Sequence, residues 1–131
     1  MNVCFNSLEL KGPSATADRL LAKGFENCDY DDWGFSPQLF SFKAFVANAQ
    51  DEMTRLELES IWTNWINRGK QKNGSDQTLT IEFESEDVPP VAVINAMIEW
   101  LKAEQLDFNL HYRYRLENEN WQGQLQAQNH H

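Results

Sequence analysis

Three carboxylates fall within four residues in the run Asp29-Tyr30-Asp31-Asp32-Trp33. Such a run can ligate a hard, oxygen-seeking cation such as Ca²⁺. Its spacing does not follow the EF-hand calcium loop, and no Glu stands at its far end. The same residues can act as an acidic hook for a basic partner, with Tyr30 and Trp33 as anchors. They can also form a plain solvated loop with Trp33 and Phe35 tucked into the core. A second acidic series is Glu82, Glu84, Glu86 and Asp87. Paired carboxylates do acid–base work only where burial raises one pKa. These alternate along an outward strand face and its exit, so they are expected to be solvated and open to a basic partner. His111 is the only histidine away from the C-terminal pair, and no hydrolase or zinc-protease signature accompanies it. Cys4 sits at a core-facing position, and Cys28 is flanked by acid, which raises a thiol pKa. No catalytic residue, cofactor or metal site is expected from these residue types.

The 131 residues suit one domain. Twenty Asp and Glu oppose eleven Lys and Arg, for a net charge of −9. Both halves of the chain are acidic, which weighs against direct binding to nucleic acid or an anionic membrane and permits a basic protein partner. No apolar run is long enough to span a bilayer. The opening Met1 to Asn6 has no basic-then-apolar pattern, so a cytoplasmic setting with reduced thiols is expected. The final His130 and His131 are not read as a metal site.

Any site must be carried by the elements that the hydrophobic pattern predicts. Alternation from Asn2 to Leu10 predicts a strand with Cys4, Asn6, Leu8 and Leu10 on one face, ended by Lys11-Gly12-Pro13. Ser14 is a candidate N-cap for a short helix burying Ala17, Leu20 and Leu21, with Gly24 at a left-handed C-terminal position. Residues 39–45 alternate as a strand through Phe40, Phe42 and Ala44. Residues 51–67 read as a helix, because Leu58, Ile61, Trp62, Trp65 and Ile66 form a stripe of helical period. Thr78 to Glu84 is a strand with Leu79, Ile81 and Phe83 inward. A helix follows from Pro89 or Pro90, with Asp87 beside its start as a cap. Phe108 to Arg115 and Trp121 to Ala127 are two further strands.

The resulting order predicts an α+β domain of ferredoxin-like split βαβ plan, β-α-β-β-α-β, over residues 1–131. It carries an inserted helix near 51–70 and an extra C-terminal strand. The uncovered sheet face is expected to show Val3, Phe5, Lys43, Glu82, Glu84, Arg113 and Arg115. The inserted helix is expected to cover part of it. Cross-strand pairing of Glu82 and Glu84 with Arg113 and Arg115 is expected if their strands are neighbours.

The stretch Leu79 to Ile94 joins an acidic strand exit to a Pro-Pro helix start. With Tyr112, Trp121-Gln122-Gly123 and the opening Cys4-Phe5-Asn6-Ser7-Leu8, it resembles the Api-like proteins of phages and plasmids. The resemblance implies a ferredoxin-like fold and a mobile-element setting, and it implies no reaction. The functional expectation is a non-catalytic, acidic interaction protein that engages a basic host or defence protein, as an inhibitor or nucleic-acid mimic. The alternatives are a homodimer using the open sheet face or an edge, with Val3, Phe5, Trp62 and Trp65 as contacts, and an unrecognised small enzyme.

Overall fold

The computed structural model of the chain describes residues 2–25, 40–46, 51–69 and 76–130. Strand β1 (Val3–Pro13) leads into helix α1 (Ser14–Gly24). A 3₁₀ turn at Phe42–Phe45 and helix α2 (Glu52–Glu59) come next. Strands β2 (Ile61–Gly69) and β3 (Asp76–Glu86) precede helix α3 (Val91–Ala103). Strands β4 (Phe108–Leu116) and β5 (Gly123–Asn129) close the order. The sheet runs β2-β3-β1-β4-β5, and every neighbouring pair is antiparallel. Without α2 and β5 this is the split βαβ plan, with β1 central between β3 and β4. The α+β, ferredoxin-like expectation therefore holds, together with its inserted helix and added strand.

The second strand of that plan is not the one the sequence suggested. Residues 61–69 form β2, whereas the segment read as a strand around Phe42 is a 3₁₀ turn. Two facts account for the exchange. A β-bulge between Ile61 and Thr63 places both against the single step Ser85–Glu84, which breaks the alternation that would have marked a strand. Leu58, Ile61, Trp62, Trp65 and Ile66 then fall at i, i+3, i+4, i+7 and i+8, the spacing of a helical stripe, although Ile, Thr and Trp favour strands. Helix α2 stops at Ser60, whose carbonyl accepts the Glu86 amide at 3.2 Å and so delivers the chain to the sheet.

One face of the sheet carries the core. Leu8, Leu10, Leu79, Ile81, Phe83, Leu110 and Tyr112 pack under Leu20 of α1 and Val93, Ile94, Met97 and Leu101 of α3. The strand parity read for Cys4, Asn6, Leu8 and Leu10 holds, since all four are buried. Phe40 and Phe42, whose centroids are 5.1 Å apart, reach the same core, with Phe45 resting on Trp100 at 5.3 Å. Their burial, not strand pairing, is what the apolar pattern of 40–45 encodes, and Leu39 lies outside the described residues.

The ends of α1 also differ from expectation. β1 continues through Lys11-Gly12-Pro13, so Pro13 is the residue before the helix and Ser14 is its first residue. Gly24 is the last helical residue, and Phe25 after it keeps right-handed geometry with φ −89°. Gly24 is needed for space: a Cβ there would lie 2.1 Å from the Phe40 ring. Gly24→Ala should therefore cost about 1–3 kcal/mol by overpacking, read as a lower urea midpoint at unchanged slope. An unchanged midpoint would show that Phe40 moves aside freely.

Candidate partner-binding surfaces

Asp29, Tyr30, Asp31, Asp32 and Trp33 lie outside the described residues. The second acidic series is split between two surfaces. Glu82 and Glu84 project from β3 onto the sheet face that no described helix covers, while Glu86 and Asp87 form the turn into α3.

That turn is held tightly. Asp87 has a left-handed backbone, φ 65°, which Asp tolerates better than most residues. Its N–H donates to the Asn2 carbonyl at 2.9 Å, and its Oδ1 accepts the Asn2 N–H at 2.9 Å. Asp87 is thus spent on the start of β1 and is not the cap of α3. The cap comes from α2. Glu57 Oε1 accepts the N–H groups of Ala92 at 2.8 Å and Val93 at 3.3 Å. A carboxylate suits a helix N-terminus, whose first N–H groups have no partner inside the helix. Burial nevertheless raises the Glu57 pKa above its ordinary value, against the pull of those two donors. At the other end of α2, Asp51 accepts both the N–H and the hydroxyl of Thr54, which holds its carboxyl low.

Between α2 and the β3–α3 turn runs a groove of about 470 Å³, lined by Met53, Leu56, Val88 and Pro89 among Glu57, Glu86 and Asp87. Met53, Leu56 and Val88 are 65%, 59% and 53% exposed, and they are three of the four exposed large apolar side chains among the described residues. Met53 and Leu56 share one face of α2 at a spacing of three. The stripe of helical period at Leu58, Ile61, Trp62, Trp65 and Ile66, which makes 51–67 look like one long helix, leaves both of them out. Met53 and Leu56 project roughly opposite that stripe, and this was the available signal.

The uncovered sheet face is organised in rows. Phe5 of β1 lies between Glu84 of β3 and Arg115 of β4, and Ser7 lies between Glu82 and Arg113. β3 and β4 are therefore not neighbours, and the expected cross-strand ion pairs do not form: Glu82, Arg113 and Arg115 have no ion pair among the described residues. The arginines lie on aromatic rings instead. Arg115 sits 4.4 Å from the Phe5 centroid, and Arg113 sits 4.3 Å from that of Trp121. Nor does α2 shield this face as expected. Its Glu57 bonds α3, on the opposite side of the sheet.

His111 is half-buried on β4 and bonds Gln124 across the strand at 2.8 Å. Among the described residues, no group of His, Cys, Asp and Glu is arranged to hold a metal, and no helix is long and apolar enough to cross a membrane. Cys4 is buried, and burial raises its thiol pKa, the opposite of what a nucleophile needs. No family model, curated protein or solved structure matches this chain.

Proposed function

We propose that this protein is a non-catalytic interaction protein whose groove between α2 and the β3–α3 turn receives a basic, amphipathic segment of a partner protein. The observation that carries the reading is the clustering of Met53, Leu56 and Val88, all exposed, beside Glu86 and Asp87. Exposed apolar side chains gathered in one place mark a contact surface far better than the same residues scattered singly. Glu57, Glu86 and Asp87 line the groove and, among the described residues, no cation does, so a lysine- or arginine-flanked apolar stripe matches its chemistry. The net charge of −9 would speed such an encounter at low salt. A protein that covers a basic patch in this way excludes nucleic acid from it, which is how the inhibitory role and the mobile-element setting fit the same reading.

The test uses two labelled amphipathic peptides, one of leucine and lysine and one of leucine and glutamate. The lysine peptide should perturb the NMR signals of Met53, Leu56 and Val88 and weaken as salt rises. Leu56→Lys should reduce its affinity about tenfold or more, the effect of placing a like charge in an apolar contact. Equal binding of both peptides, or perturbations centred away from the groove, would overturn the reading.

A further inference from the structure

We infer that the sheet face that no described helix covers docks on the same face of a second copy of this chain, through a two-fold axis lying along β1. This surface shares no residue with the groove, so the inference stands apart from the proposed function.

Along β1 the open face shows Phe5 and then Ser7. On one side of these residues stand the carboxylates of Glu84 and Glu82, and on the other the guanidiniums of Arg115 and Arg113. Acid and base thus occupy the same two rows on opposite sides of the central strand. A two-fold rotation about β1 exchanges left for right and turns the face over. It brings Glu82 of one copy above Arg113 of the other, and Glu84 above Arg115, twice each. It also sets Phe5 against Phe5 on the axis. Such a contact is isologous and closes at two copies.

Distances allow it. Strands are about 4.8 Å apart, so the two charged columns stand roughly 10 Å from each other within one sheet. Facing sheets also pack about 10 Å apart, so a glutamate of one copy reaches toward a guanidinium that the other copy holds over its aromatic ring.

Exposure agrees. Glu82, Arg113 and Trp121 are exposed, and Phe5 and Arg115 are half-buried. A depression of about 430 Å³ runs over Phe5, Ser7, Glu82 and Arg115. The guanidiniums of Arg115 and Arg113 already rest over Phe5 and Trp121, so little side-chain freedom remains to be lost on docking. A polyanion such as RNA would meet Arg113 and Arg115 but also the Glu82 and Glu84 carboxylates beside them. A second copy meets both charges with the opposite sign.

Sedimentation equilibrium over a range of concentrations tests this. The unaltered chain should form a reversible dimer that weakens with salt. Glu82→Arg with Glu84→Arg makes the whole face basic, and Arg113→Glu with Arg115→Glu makes it acidic. Each variant alone should associate at least about tenfold more weakly, because like charges now face each other. An equimolar mixture of the two should recover the dimer as a heterodimer. A monomer at every concentration, reversal variants that associate as before, or a mixture that stays monomeric would each overturn the inference. If the double variants do not fold, the single reversals Glu82→Arg and Arg113→Glu carry the same test, with circular dichroism confirming the fold.

Discussion

Asn6→Ala should lower unfolding free energy by about 2–4 kcal/mol, more than a polar-to-small change costs on a surface. Asn6 lies in the middle of β1, only 3% exposed, on the face that packs the core. The two hydrogens of its Nδ2 are shared among three acceptors, the Phe83 carbonyl at 3.3 Å, the Cys4 carbonyl at 3.2 Å and Ser85 Oγ at 3.0 Å. Its Oδ1 accepts the Tyr112 hydroxyl and stands 3.8 Å from Cys4 Sγ. One amide therefore satisfies polar groups on all three central strands. Removing it leaves the Tyr112 hydroxyl without its acceptor at a site closed to solvent, and leaves a small void beside it. A double-mutant cycle separates these costs. Tyr112→Phe alone should cost less than Asn6→Ala, and the double variant should cost clearly less than the sum, because no hydroxyl is then left stranded. Urea midpoints at constant slope provide the reading. Additive losses, or an Asn6→Ala loss below about 1 kcal/mol, would mean that water replaces the amide and that the network does not act as a unit.

Asn6 also shows how far residue pattern reaches. The period of two placed it among Leu8 and Leu10, so its burial and its need for partners were readable from the sequence. Its partners were not, because they come from positions 83, 85 and 112, which only the sheet order brings together. The same holds for the helices. Their buried faces follow from spacing, but the cap of α3 comes from Glu57, thirty-five residues away, and nothing local to Pro89-Pro90 announces it. Asp87 had the right type and place for a cap, yet its left-handed backbone turns it toward Asn2. The largest misreading, residues 61–67 as helix, arose where a bulge breaks the strand period and the apolar residues happen to fit the helical one. Of the acidic candidates, Glu86 and Asp87 do line an apolar groove, but the apolar half of it, Met53 and Leu56, rests on a helix whose true length the sequence did not reveal.

Stability should fall steeply in alkali, and the buried network sets where. Burial is the main cause that raises the Tyr112 hydroxyl pKa above the ordinary tyrosine value, and the nearby Cys4, Tyr114 and Glu57 add to it. Cys4 is raised by burial as well, with a smaller opposing contribution from Ser85. A tyrosinate here would also set its negative oxygen against Asn6 Oδ1, an acceptor with no proton to offer. The unfolded chain has no such restraint and releases these protons near the ordinary values of about 8.5 for Cys and 10 for Tyr. Both folded values are raised, so the stabilisation is complete below those ordinary values. It is lost as pH climbs past them, toward the folded values. Each proton held only by the folded state costs about 1.4 kcal/mol per pH unit over that span. Cys4 should begin the decline and Tyr112 should steepen it above about pH 10. Tyr112→Phe tests the assignment. The variant starts less stable at neutral pH, for want of the bond to Asn6, but its midpoint should fall with a shallower slope above pH 10. The two curves should therefore converge as pH rises. Parallel curves would place the alkaline lability elsewhere in the chain and would mean that Tyr112 titrates as freely in the folded protein as in the unfolded one.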